Sequence, residues 1–357
     1  MIAADDMEHN ENYNQNDAKD YNDADGEEYD EDENNFNIQD YTAFSEESML
    51  QIQNNNSSIT ALSIPWEDHA NSIDWARNMT LFENNTQLKN VDISGLGYAY
   101  DEFSNQIPID SNTKRNIQSF FSALGRNRSI ETFAIAESDL GNCLSSLFTD
   151  ISPFFKFNDN LCNIGIFESE LSEENYRSLA SSLSKRRNKS SLRKVELEDC
   201  DLRANLVELM ASLEGYYNLA KLSFNNCGFT DRVSYNALSN ILRDPQYKLK
   251  GLNLSYNNVA IDILTILANA LAMNRSLVSF GLDNKCTKMP GILSDALTRN
   301  ITFDNSSLRS VNLTSSFFEL SEFRSFTTCL QGTNSLETLR LTIVESMMRE
   351  QVLWGIC

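Results

Sequence analysis

Few side chains in this sequence have the types and spacings that build a catalytic or metal centre. There are two histidines, His9 and His69, and neither has the cysteine, histidine or carboxylate company that a metal ion needs. Seven cysteines stand at 143, 162, 200, 227, 286, 329 and 357, none in C-x-x-C spacing. An odd count without paired spacing reads as reduced thiols in a cytoplasmic or nuclear protein. H-E-x-x-H, G-x-S-x-G and G-x-x-x-x-G-K-[ST] are absent, and Gly95-Leu-Gly97 opens a dinucleotide fingerprint without its third glycine. Glu196 and Glu198 lie two apart, hence on one strand face. That spacing suits acid–base work, but a solvated charged strand face explains it more simply. The sequence is therefore read as non-enzymatic, with no catalytic residue, no cofactor and no metal.

Charge is the stronger signal. The formal net charge is −22, which argues against general nucleic-acid binding, because phosphate affinity comes from lysine and arginine. Residues 1–50 hold 17 acids against the single cation Lys19, a net of −16, so the other 307 residues carry only −22 + 16 = −6. The first fifty residues contain no Val or Pro, and Leu50 is their only leucine. They cannot bury enough apolar surface to offset chain entropy, and residues 1–55 read as a disordered acidic tail. Tyr13, Tyr21, Tyr29, Phe36, Tyr41 and Phe44 punctuate it, a pattern suited to a basic partner or to simple solubilisation. Six cations crowd into the ten residues Lys185–Lys194. They suit a helix C-terminus, with a nuclear address, an anion patch or a dock for the tail as the alternatives. The first ten residues lack the basic and apolar regions of a signal peptide. No apolar run approaches the roughly 18 residues of a spanning helix, so no membrane partner is expected.

What positions these residues is a repeat. Leu249–Val259 reads LKGLNLSYNNV, that is L-x-x-L-x-L-x-x-N-x-hydrophobic. The same spacing returns at Leu88/Val91/Ile93, Ile130/Phe133/Ile135, Leu161/Ile164/Ile166, Leu192/Val195/Leu197, Leu219/Leu222/Phe224, Leu277/Phe280/Leu282, Leu308/Val311/Leu313 and Leu336/Leu339/Leu341. Successive starts are 42, 31, 31, 27, 30, 28, 31 and 28 residues apart, the first interval holding an insertion near Gly97–Thr113. Each alternating core predicts a short strand with one buried face, and a helical pattern follows it. Tyr176, Leu179, Ala180 and Leu183 lie behind an expected N-cap at Ser172, and Leu264, Leu267, Ala268 and Leu271 lie behind one at Asp262. Asn127, Asn188, Asn274, Asn305 and Asn334 close their units before a serine, as residues that tolerate a left-handed turn. Residues 56–87, with Trp66, Trp75 and an expected helix from Asp74 to Asn84, read as the cap that a solenoid end requires.

With these units on view, residues 88–343 resemble the ribonuclease-inhibitor-like class of leucine-rich repeats. The resemblance implies an α/β solenoid of about nine repeats, 27–31 residues each, with a parallel concave sheet, convex helices and a repeat domain over 88–357. It also implies that Cys200, Cys227 and Asn257 occupy the buried position bonding exposed backbone between turns. Ser138, Ser169, Lys285 and Ser316 stand at that position elsewhere and make the ladder ragged. Partner contacts would come from the non-leucine strand positions. The candidates are Phe167, Lys194, Glu196, Glu198, Lys221, Asn225, Asn253, Tyr256, Asp283 and Arg340, on a face otherwise of small polar residues. The function expected is a protein–protein interaction scaffold whose partner the sequence does not name.

Two further resemblances are looser. Phe229-Thr-Asp-Arg232-Val, expected in the loop after the fifth strand, resembles the catalytic-arginine loop of Ran-type GTPase activators, although Arg203 occupies a similar place. The acidic tail resembles that of acidic leucine-rich chaperones for basic proteins such as histones, which carry their acid at the other end. A chain ending inside its last expected helix is also compatible with a fragment.

Overall fold

The computed structural model describes residues 41–55, 57–66, 81–97, 110–140, 147–202, 205–282, 291–302, 307–314, 324, 326–328 and 336–341. The chain divides into two units, Met1–Asn37 and Ile38–Cys357. The first lies outside the described residues, as do His9, His69, Asp74 and Trp75.

The second unit is a leucine-rich-repeat solenoid. Nine strands fall where the repeated leucines place them: β3 Asn90–Ser94, β4 Thr132–Ala136, β6 Asn163–Phe167, β8 Lys194–Glu198, β9 Lys221–Asn225, β10 Gly251–Asn253, β11 Ser279–Gly281, β12 Ser310–Leu313 and β13 Thr338–Leu341. Two more, β1 Thr42–Ala43 and β2 Ala61–Pro65, precede them, and all eleven form one sheet in chain order. Every pairing is parallel and in step, so Leu222 lies beside Val195 and Leu252. A small second sheet joins β5 Asp139–Leu140 to β7 Glu170–Leu171.

Among the described residues, helices occupy the return paths from β3 to β12: α2 Ser111–Leu124, α3 Leu147–Asp150, α4 Ser152–Phe157, α5 Glu173–Ser184, α6 Leu206–Ser212, α7 Arg232–Arg243, α8 Ile261–Leu271 and α9 Gly291–Thr302. Neighbouring strands lie about 4.8 Å apart and packed helices about 8–10 Å apart. A stack of such units must curve with the sheet inside and the helices outside. The core lies between the layers. The repeated apolar strand residues from Leu88 to Leu313 are at most 2% exposed. Where α3 and α4 are short, aromatics fill the space: Phe133, Phe154 and Phe155 meet with ring centroids 5.5–5.9 Å apart.

The N-terminal boundary differs from expectation. Residues 41–55 are not tail, because β1 pairs with β2 and α1 Glu46–Gln53 follows it. The reason is a local signal that the acidic surroundings obscure. Ser45 and Ser48 form a reciprocal capping box, which satisfies two orphan donors of the first turn, and Phe44, Met49 and Ile52 are buried. Residues 56–87 are likewise more than a cap: β2 pairs with β3 through Leu62 and Val91, making a repeat ahead of Leu88. Residues 81–84 are helical, and the rest of the expected helix lies outside the described residues.

The polar ladder is more regular than the sequence suggests. Ser138 Oγ accepts from Leu96 N at 3.0 Å, and Ser169 Oγ accepts from Ser138 N at 3.2 Å. Cys200 Sγ donates to Ile166 O at 3.4 Å and Cys227 Sγ to Leu197 O at 3.1 Å. Asn257 Oδ1 accepts from Cys227 N at 3.0 Å and Phe229 N at 2.8 Å, while its Nδ2 donates to Phe224 O and Leu254 O. Lys285 and Ser316 lie outside the described residues.

The asparagines that close the units act differently from expectation. Asn127, Asn188 and Asn274 are not left-handed. Asn127 Nδ2 reaches back to Phe82 O at 2.7 Å and Asn274 Nδ2 to Leu242 O at 2.7 Å, while each Oδ1 holds the turn ahead. They form a second ladder between neighbouring repeats. Asn305 and Asn334 lie outside the described residues. Ser172 caps α5 by accepting from Asn175 N, as expected, but α8 is capped by Ala260 without a side-chain bond, and Asp262 lies inside it.

Candidate inner-face site

Register assembles the inner face from rows that run across the strands. One row carries Asn90, Thr132, Asn163, Lys194, Lys221, Gly251 and Ser279; the next carries Asp92, Ala134, Gly165, Glu196, Ser223, Asn253 and Gly281. Lys194 and Lys221 are direct cross-strand neighbours, an arrangement that repels unless an acid intervenes. Glu196 supplies it. Its Oε2 lies 2.9 Å from Lys194 Nζ and its Oε1 2.8 Å from Lys221 Nζ. Lys194 and Glu196 are each under 10% exposed, so the pairing offsets a real desolvation cost. The bland reading of Glu196 and Glu198 as a solvated face is therefore corrected for Glu196.

Glu198 sits one row on and accepts from Asn225 Nδ2 at 2.7 Å. Burial pushes its carboxyl pKa up, with Asp199, Glu196 and Glu168 adding repulsion against that hydrogen bond. Asn225 Oδ1 has no partner among the described residues. Asn253 Oδ1 accepts from Ser255 N at 3.1 Å. It also fills the space beside Gly281, where an added Cβ would fall 2.8 Å from it. The glycines thus make room for neighbouring side chains. Phe167 is half-buried at the end of β6, and Tyr256 is exposed beyond β10. Arg340 lies on β13, and Asp283 lies outside the described residues. Lys194, Glu196, Lys221, Glu198 and Asn225 are brought together, and Arg340 is four strands from the nearest of them.

Two features escaped the sequence reading. Asp92 is buried on β3, accepting from Ser63 Oγ at 3.4 Å, and burial raises its pKa to about 6. Tyr41, pushed up to about 12 by burial and by Asp92, sits near it. The other feature is a ridge where strands end. Glu137, Glu168, Asp199, Asn226 and Tyr256 each follow the strand segment of their repeat, each has φ between 44° and 61°, and all are exposed. Only a comparison of the residue after each strand, repeat by repeat, could have found it.

The basic run dissolves into separate tasks. Arg186 is buried and donates to Phe155 O, Asn158 O and Leu161 O at 2.7–3.0 Å. It replaces the inter-repeat asparagine in its unit. Lys189 donates to Glu214 O at 2.6 Å and lies over the Tyr216 ring, Arg193 holds Ser190 O, and Lys194 belongs to the inner face. Lys185 and Arg187 remain exposed. Arg232 is the first residue of α7 rather than a loop residue, and it faces Asp262 at 3.6 Å. Arg203 lies outside the described residues.

Burial raises the Cys200 thiol to about 12 and the Cys227 thiol well above its usual value. Both are ladder donors rather than nucleophiles. Among the described residues no group of three or more His, Cys, Asp or Glu could hold a metal ion, and no helix is long and apolar enough to cross a membrane.

No protein-family model and no curated protein matches the sequence. Among solved structures, the chain is similar to an internalin from Listeria monocytogenes, at 13% identity and TM-score 0.39, over 75% of this chain and 67% of that one. It is also similar to the tropomodulin C-terminal domain from Caenorhabditis elegans, at 13% identity and TM-score 0.25, over 64% of this chain and 93% of that one. Both likenesses are loose, and the fold rests on the strand register and the ladders.

Proposed function

We propose that this chain is a non-enzymatic scaffold that binds another protein on the inner sheet face, centred on β6 to β10. One observation carries the reading. The charged and amide side chains of that face are already held across strands, as Lys194–Glu196–Lys221 and Glu198–Asn225. A polar face fixed before binding loses little side-chain entropy when a partner arrives. Phe167 and Tyr256 supply the aromatic grip that hot spots favour. The 27–31-residue spacing, with a helix on the described return paths from β3 to β12, favours the ribonuclease-inhibitor-like subtype. Two buried, unpaired thiols used as donors favour a reducing compartment, cytoplasmic or nuclear.

The test is affinity capture from the native cell with two variants of the full chain. Phe167→Ala with Asn225→Arg and Asn253→Arg blocks the inner face, and Gln118→Arg with Arg177→Glu alters the outer helices. Captured proteins lost only with the first variant support the reading, and loss with neither or with both overturns it.

A further inference from the structure

Val233, Ile261 and Ile292 fall within the first two residues of three successive helices, α7, α8 and α9. They are 58%, 57% and 39% exposed, and Val207 continues the row on α6 at 37%. Single exposed aliphatics are ordinary on a protein surface. A row of them at one place in consecutive repeats is not, and the place is an unfavourable one. The first turn of a helix presents unpaired N–H groups and a dipole that favours acids, and Val and Ile are below-average helix formers. Helix α5 opens as those rules ask, with Glu173-Glu174. Neither helix formation nor core packing therefore accounts for the row.

Among the described residues, acids outnumber cations beside the row. Asp262 and Asp295 are exposed next to Ile261 and Ile292, and Glu208 next to Val207. The cation among them, Arg232, already faces Asp262. Spacing adds a second constraint. Packed helices set the aliphatics about 8–10 Å apart, and a helix returns to the same face every seven residues, about 10.5 Å.

We propose that this row docks a cationic amphipathic helix of a partner protein. Its aliphatic stripe lies across α7 to α9, and its lysines or arginines face Asp262, Asp295 and Glu208. Two heptads, about 15 residues, cover the three helices. The surface is separate from the inner sheet face and stands or falls independently of it.

The probe is a pair of synthetic peptides of about 21 residues, identical in leucine, alanine and lysine content. One gathers its leucines on a single helical face and the other is scrambled. Coulomb attraction to the acidic residues 1–50 acts on both peptides alike, so the difference between them reads the apolar row. With the full chain, the amphipathic peptide is expected to bind at least tenfold tighter. It should also slow amide exchange in the first turns of α7, α8 and α9. The double variant Val233→Ser, Ile261→Ser changes only exposed positions and should erase the difference, with unchanged circular dichroism. Ile292→Ser is a milder variant and should reduce it. Equal affinities for the two peptides overturn the proposal. So does a preference that survives the double variant without exchange protection in α7 and α8.

Discussion

Arg186 shows how a residue can look functional in a string and be structural in the fold. Five atoms accept from its guanidinium, two of them carbonyls of the preceding repeat and one the carbonyl of Leu161, which opens its own. Arg186→Ala should lower unfolding stability by roughly 3 kcal/mol, and Arg186→Lys should recover little, because an ammonium lacks the planar fork; urea titration of both variants checks this. Tyr235 points the other way. Its ring is fully buried against Phe229, and its hydroxyl has no partner among the described residues. Tyr235→Phe should therefore raise the urea midpoint, by about 1 kcal/mol of stability. Asp92 gives a pH signature. Its folded pKa of about 6 exceeds the ordinary 3.8, so the folded state holds the proton more tightly than the unfolded one. Stability from this group is present below about pH 4 and is lost as pH rises through 6. Asp92→Asn should stabilise the chain at pH 7 by roughly 1–3 kcal/mol and hardly at all at pH 4, read from thermal melts at the two pH values.

At the scale of elements, the nine strands were legible because a buried face every second residue must be written in apolar side chains. The buried faces of α5 and α8 were legible for the matching helical reason. The first two strands and α1 were not. Thr42–Ala43 is too short to show alternation, and the Ser45–Ser48 box lies in acidic sequence whose composition argues for disorder. The prediction that belongs here is that Phe44→Ala or Ile52→Ala should cost about 2–4 kcal/mol, although both lie within the stretch that reads as tail. Hydrogen exchange should localise the loss to β1, β2 and α1. The ladder function of Asn127 and Asn274 was also hidden. A backbone turn and a side-chain bond to the previous repeat both favour asparagine before serine, and the string does not separate them. The inner-face site was half legible. Its residues follow from strand phase, but the sharing of Glu196 by two lysines follows only from register.

At the largest scale, the unit from Ile38 onward joins two kinds of surface on one stack of repeats. The inner sheet presents fixed polar groups ending in a ridge of exposed left-handed residues, and the helices α6 to α9 present exposed aliphatics beside acids. Curvature itself follows from strands packing more closely than helices, so ligand access divides into an inside and an outside. Site-specific photo-cross-linking tests the inner-face claim most directly. A benzophenone amino acid would replace Phe167 or Asn253 inside, and Gln118 or Arg177 outside, in the full chain expressed in its own cell. The account predicts one recurrent set of cross-linked proteins at Phe167 and Asn253 and none of that set at Gln118 and Arg177. The same proteins at all four positions, or cross-links from the outer pair alone, would contradict it.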